Sequence, residues 1–282
     1  MIRQRFPLIA TLCALFLLNC EALYDIAEDV GTTNTAPTQA EITSALESAL
    51  AVGIDSAAVQ LSRTNGYLLN EAVRILIPSD AQKAFAYAES LENSLSPQAV
   101  TVIEFSLGLF DFQSFAKTRD SLLIAINRAA EAAAPLSVDI FKNRIFEMTV
   151  SDGMKILEGD STAATNYLRE GTFDTLAGVY SPLVNEKLSM VGATRVWTAF
   201  AKRYNTLHDW YAAVLPLDVT ASLPEPPFDR LTTDLGNYTT INALDGLFHV
   251  VGEEEARIRR NPVARVTEIL REVFGWLDEQ RG

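Results

Sequence analysis

Apolar residues recur at helical spacing along most of the chain. Ile42, Ala45, Leu46, Ala49 and Leu50 fall on one face of a predicted opening helix. Thr64, Asn65 and Gly66 break that pattern. Residues 73–77 are the one run with strand-like composition, and Pro78 ends it, which predicts no more than a short extended segment. Ser79 or Asp80 can cap a helix that carries Ala84, Tyr87, Ala88 and Leu91. Ser96 followed by Pro97 is a second start signal. Leu122, Leu123, Ile126, Ala129, Ala130 and Ala133 form an inward stripe over residues 115–134, interrupted by Pro135. Ser151 opens a short helix that Gly159 stops as its C′ residue. Asp160 or Ser161 caps the next, which runs to about Met190, with Pro182 expected to kink or divide it. Gly192 closes that helix, and residues 194–214 are helical again. Residues 215–229 hold four prolines and read as a loop. Residues 238–260 carry the strongest helical pattern, Asn261 and Pro262 end it, and a last helix covers 263–274. The expected fold is all-α: a single bundle-like domain of roughly ten helices over residues 41–282.

The first forty residues follow another pattern. Arg3 and Arg5 precede thirteen uncharged residues, 6–18, too few to span about 30 Å of hydrocarbon as a helix. Their order matches the positive and apolar regions of a secretory signal covering residues 1–19. Leu17, Leu18, Asn19 and Cys20 resemble the lipobox of bacterial lipoproteins, with Asn19 departing from the small residue expected there. In that reading Cys20 becomes the acylated first residue, and the Glu21 that follows favours the outer membrane. Alternatively, Cys20, Glu21 and Ala22 form a small-x-small cleavage site, and the mature protein is soluble in the periplasm. Residues 20–40 read as a flexible tether. The sixteen polar residues 25–40 would span on the order of 20–25 Å as a coil.

Composition narrows the choice of partners. The chain has 282 residues and a formal charge of −13, so phosphate backbones and anionic headgroups repel it and nucleic acid is excluded as a partner. Its two cysteines, Cys13 and Cys20, both lie at the N-terminal segment, leaving the helical part without a disulfide.

Three stretches, taken together and in order, carry a family resemblance: INRAAEAAAP (126–135), ILEGDSTAATNYLREGT (156–172) and ALDGLFHVVGEEEARIRRNP (243–262), followed by EILREVFG (268–275). They resemble the bacterial family called domain of unknown function 4197. The resemblance covers residues 42–275. It implies an α-helical, exported protein and no particular chemistry. Residues 96–115 and 215–228 look like insertions relative to the family pattern, and His249 stands where the family is usually apolar.

Catalytic motifs are absent from the sequence: no phosphate-binding glycine loop, no nucleophile elbow, no paired cysteines and no His-Glu-x-x-His. Asp245, His249 and Glu253 lie at i, i+4 and i+8, a spacing metals use. At 100° per residue they point away from the apolar stripe, so the expectation is a solvated face with no metal and no cofactor. Glu253 with Arg257 and Glu255 with Arg259 have the favourable i, i+4 order. Trp197, Trp210 and Trp276 read as packing residues. Two charges point inward: Arg169 on the helix after Asp160, and Glu255 on the helix 238–260. A lone buried charge costs several kcal/mol, so a partner is expected for each. Arg169 and Glu255 either meet where the two long helices pack, pair separately with internal groups, snorkel to the domain edge, or, in the case of Arg169, hold an anionic ligand.

The leading functional expectation is a non-catalytic, lipid-anchored envelope protein acting as a binding module. Its partners would be the membrane, through the anchor, and an unknown envelope protein. The alternative is a carrier of an apolar small molecule in an interhelical pocket. The last reading is a hydrolase built on a pair of carboxylates.

Overall fold

The computed structural model describes residues 37–94, 115–214 and 230–281, apart from 232, 233 and 266. Contacts divide the chain into Met1–Thr38 and Gln39–Gly282, and every element named below belongs to the second unit. The expectations for Cys20 and the signal, for the helix start at Ser96 and for the loop 215–229 lie outside the described residues.

The helices, in order, are α1 (Gln39–Ser62), α2 (Ser79–Ser94), α3 (Phe115–Ala133), α4 (Ser137–Phe146), α5 (Val150–Glu158), α6 (Ala163–Met190), α7 (Ala193–Val214), α8 (Leu235–Arg260) and α9 (Glu268–Arg281). Short 3-10 turns at Ala134–Leu136 and Pro262–Ala264 join α3 to α4 and lead from α8 towards α9. No strand occurs among the described residues. The fold is all-α, as the periodicity predicts. Residues 74–78 belong to neither a helix nor a strand.

α6 and α8 form the long central pair and run antiparallel. The end of α8 reaches the start of α6 through Glu255, Ala164 and Thr165, and the start of α8 meets the far part of α6, where Gly236 packs on Asn185. α1 lies along α8, with Gly53 against Glu254 and Ile258. By length and composition α1 could cross a bilayer, yet its residues from Ile42 to Leu61 build one wall of the core. Ile54, Leu61, Ile126, Leu168, Leu176, Tyr180, Leu244 and Leu247 fill the centre, each contributing roughly 1.5–3 kcal/mol by leaving water. α2 and α7 extend the same core, where Phe85 stacks on Phe200 at 3.9 Å between centroids beside the buried Trp197.

Several local expectations change. Pro182 does not divide α6, which runs unbroken from Ala163 to Met190. The carbonyl that loses its donor belongs to Gly178, which is exposed with open space around its Cα, so water can replace the missing bond. α6 begins at Ala163, and neither Asp160 nor Ser161 caps it directly. Asp160 instead accepts from the Thr162 N–H and hydroxyl, both at 2.8 Å. Gly159 ends α5 in extended backbone at φ −73°, so it is not a left-handed C′ glycine. Glycine is needed there because a Cβ would overlap the Cβ of Ala163, where the chain turns sharply into α6. α5 starts one residue earlier than expected, after Thr149, whose hydroxyl accepts from the Asp152 N–H while Asp152 accepts from Thr149. α4 carries no signal strong enough to predict it: Phe141 and Ile145 are its buried apolar anchors. α9 starts at Glu268, five residues after the expected start, and runs on to Arg281, seven residues past the expected end.

Candidate functional site

Polar side chains of the three resembling stretches make long-range contacts at three places.

The first is on α3. Asn127 is fully buried and behaves like a strand edge. Its Oδ1 accepts from the Ile75 N–H at 2.9 Å, and its Nδ2 donates to the carbonyls of Ile75 and Leu123, both at 2.8 Å. At Ile75 an amide side chain thus takes the place a partner strand would have, satisfying both the N–H and the carbonyl. One turn on, the buried Glu131 accepts the N–H groups of Tyr67 and Leu68, both at 3.3 Å. Arg128 donates to Glu131 at 2.5 Å and, with its other arm, to Asn65 Oδ1 at 2.7 Å. Tyr67 then crosses the core to donate to the Ala243 carbonyl of α8 at 2.7 Å, and burial pushes its hydroxyl well above the usual phenol range, keeping it a neutral donor. Gly246, one turn along α8, leaves the space that Tyr67 and Val73 occupy.

The second place joins α8 to the start of α6. Glu255 is buried, as its inward position predicts. Its carboxylate accepts the N–H groups of Ala164 and Thr165 at 3.0 and 2.9 Å and the Thr165 hydroxyl at 2.7 Å. Glu255 is therefore the cap of α6, supplied from another helix to donors that have no partner within their own. Arg259, one turn away, donates to Glu255 at 2.9 Å and to the Ile156 carbonyl near the end of α5 at 2.8 Å. Arg265 closes α8 itself, donating to the Ile258 and Arg259 carbonyls while pairing with Asp278 of α9 at 2.6 Å. Beside Glu255 and Arg259 lies a cavity walled by Leu46, Leu50, Val251 and Phe274, about 20 Å³ in volume, enough for roughly one water molecule.

The third place is at the surface. Arg169 does not meet Glu255. Its guanidinium donates to Asp245 at 2.5 Å and lies over the rings of Phe173 and Phe248, at 5.0 and 5.1 Å from their centroids. The antiparallel register explains the separation. Glu255 is level with the first turn of α6, whereas Arg169 is level with Asp245, ten residues back along α8 or about 15 Å. Arg169 is half-buried at the domain edge, one of the alternatives the sequence leaves open for it, and its guanidinium lies over the Phe173 ring there.

The other predicted residues separate in the same way. Asp245, His249 and Glu253 are exposed, with Asp245 taken by Arg169 and His249 at 3.4 Å from Glu253. Glu255 pairs with Arg259 as its spacing predicts. Arg257 pairs with Glu254 rather than Glu253. Trp197 is core, Trp276 is half-buried, and the side chain of Trp210 lies outside the described residues. Asn127, Arg128 and Glu131 are the polar residues of the first stretch whose roles the sequence did not assign. Among the described residues no group of three metal-ligating side chains comes together.

An all-helical domain whose motif charges tie its own helices and one long loop together is the class of protein these features define. The chain belongs to the family described as a protein of unknown function, DUF4197, whose profile matches residues 36–99 and 95–275. No curated protein and no solved structure matches it.

Proposed function

We propose that the protein is exported, acylated at Cys20 and held at the periplasmic face of the outer membrane, where its helical domain acts as a non-catalytic module that binds another envelope component. The observation that carries this reading is the order of the N-terminus: Arg3 and Arg5, an apolar run over residues 6–18, Leu17 three residues before Cys20, then a polar stretch leading to the unit that starts at Gln39. The helical domain supports it in a second way. The buried carboxylates Glu131 and Glu255 are each engaged by an arginine and two backbone N–H groups, which commits both to structure rather than to acid–base work. The cavity beside Glu255 takes about one water and offers an apolar cargo no room, so it lends the carrier reading nothing.

Labelled palmitate tests the anchor: it should enter the wild-type protein and not Cys20→Ala, and the label should travel with the outer-membrane fraction. Equal labelling of the two proteins, or of neither, refutes the anchor. For the module, mass spectrometry of the domain purified from its native source should find a stoichiometric envelope protein; a stoichiometric apolar small molecule instead would favour the carrier.

A further inference from the structure

Asn65 and Gly66 form the Asn-Gly pair of the chain, the dipeptide in which a backbone nitrogen most readily attacks the preceding side-chain amide. Both residues are fixed by the geometry they occupy. Asn65 has φ +71°, a left-handed conformation that asparagine tolerates better than other side chains. Gly66 lies so close to the Gln60 and Leu61 carbonyls that a Cβ would overlap both, so no other residue fits. The turn therefore requires Gly66 and favours Asn65, and so brings together a pair of residues of low chemical durability.

We propose that Asn65 is a latent self-modification site, kept shut by Arg128 and opened only when the loop of residues 63–78 leaves its seat. In the reaction the Gly66 nitrogen bonds to Asn65 Cγ, and the Asn65 amide nitrogen departs as ammonia with the proton that Gly66 loses. A solvent water then opens the resulting five-membered imide at either carbonyl, giving aspartate or isoaspartate. The balance is water in and ammonia out, with no change of oxidation state. In the seated loop each participant is held. The Gly66 N–H donates to the Arg63 carbonyl at 2.8 Å, so the proton that must leave is engaged. Arg128 Nη2 donates to Asn65 Oδ1 at 2.7 Å and fixes the plane of the amide. The same arginine is anchored by Glu131, which also holds the Tyr67 and Leu68 N–H groups immediately downstream. Isoaspartate would add an atom to the backbone at residue 65 and displace Tyr67 and Leu68 from Glu131, so a loop modified while open could not reseat in register.

The test is a time course at mildly alkaline pH, using the full chain and peptide mass mapping to count conversion at Asn65. Native wild-type protein should convert at least roughly thirtyfold more slowly than the same chain in urea, because conversion tracks the open fraction of the loop. Arg128→Lys, checked by its melting curve to be folded at the incubation temperature, should convert roughly tenfold faster than native wild type, a change of about 1.4 kcal/mol in opening. Equal rates in native buffer and urea would overturn the protection. Should Arg128→Lys not fold, Arg128→Gln replaces it in the same comparison. A folded Arg128 variant converting at the wild-type rate or slower would overturn the role of Arg128, slower conversion meaning that the guanidinium activates the amide rather than guarding it.

Discussion

Glu131 and Glu255 solve the same problem in two regions of the molecule with different results. Each is a buried carboxylate on a helix, each accepts two successive backbone N–H groups from a distant segment, and each is neutralised by an arginine one turn away on its own helix. The difference lies in the arginine. The side chain of Arg128 is 38% exposed, that of Arg259 only 11%. At α3 the pair faces a loop and its arginine stays partly in water; at α8 the pair is enclosed among α5, α6 and a cavity wall. The lesson is that a buried acid is held as tightly as its partner is enclosed, because an exposed arginine can return to water when its acid is lost and an enclosed one cannot.

The sharpest way to break the comparison is to remove each acid in turn. Glu255→Leu should destabilise most, by roughly 3–5 kcal/mol in denaturant melts, since it leaves Arg259 buried alone and uncaps α6. Adding Arg259→Met should recover a large part of that loss, and an additive double mutant would refute the coupling. Glu131→Leu should cost less, about 1–3 kcal/mol, as Arg128 swings into solvent and only the Tyr67 and Leu68 N–H groups are orphaned. Hydrogen exchange should speed up at those two amides before it does in the helices. A cost equal to that of Glu255→Leu would show that enclosure of the arginine is not what sets the scale. The half-exposed pair at the surface extends the series downwards: Arg169→Ala should cost about 0.5–1 kcal/mol, mostly through the stacking on Phe173 and Phe248.

The smallest effect concerns two acids beside helix starts, in full contact with water. Hydrogen bonds from the Thr149 hydroxyl and N–H hold Asp152 below the usual carboxylate range, and those from the Thr162 N–H and hydroxyl do the same for Asp160. Folding favours the ionised form of both, so their contribution is complete above the unfolded value of roughly 3.9 and fades as pH falls through the lower folded value. Replacing both, with Asp152→Asn and Asp160→Asn, should flatten the melting temperature against pH in that acidic window: the small loss shows near neutrality, where the ionised forms contribute in full, and disappears at lower pH.

What the sequence made legible is whatever depends on one helix at a time. The inward stripe of α3, the extent of α8 and the depth of Glu255 all follow from angles around a single axis. What it hid depends on two axes. Arg169 and Glu255 both point towards the seam between α6 and α8, but angle says nothing about height, and the antiparallel register sets them apart along it. Asn127 and Glu131 lie roughly 110° and 150° from the centre of the α3 stripe, so periodicity assigns them to water. They are buried because residues 63–78, which have no periodicity of their own, fold back across that side. The start of α6 was hidden for a related reason. Asp160 and Ser161 are plausible local caps, and nothing near them announces that the acceptor arrives from Glu255.

That borrowed cap has a consequence in time. The bonds from Ala164 and Thr165 to Glu255 close separations of 91 and 90 residues. As the chain emerges from its N-terminus, α6 is complete in sequence long before its cap exists, and its first turn stays frayed until α8 arrives. Loop-closure entropy must be overcome before this cap can form, so folding is expected to be paced by the arrival of α8. Deleting the cap with Glu255→Gln should change the unfolding rate more than the folding rate if α8 docks last. A chain truncated before Glu255 would stall with α6 formed in its middle and open at its beginning.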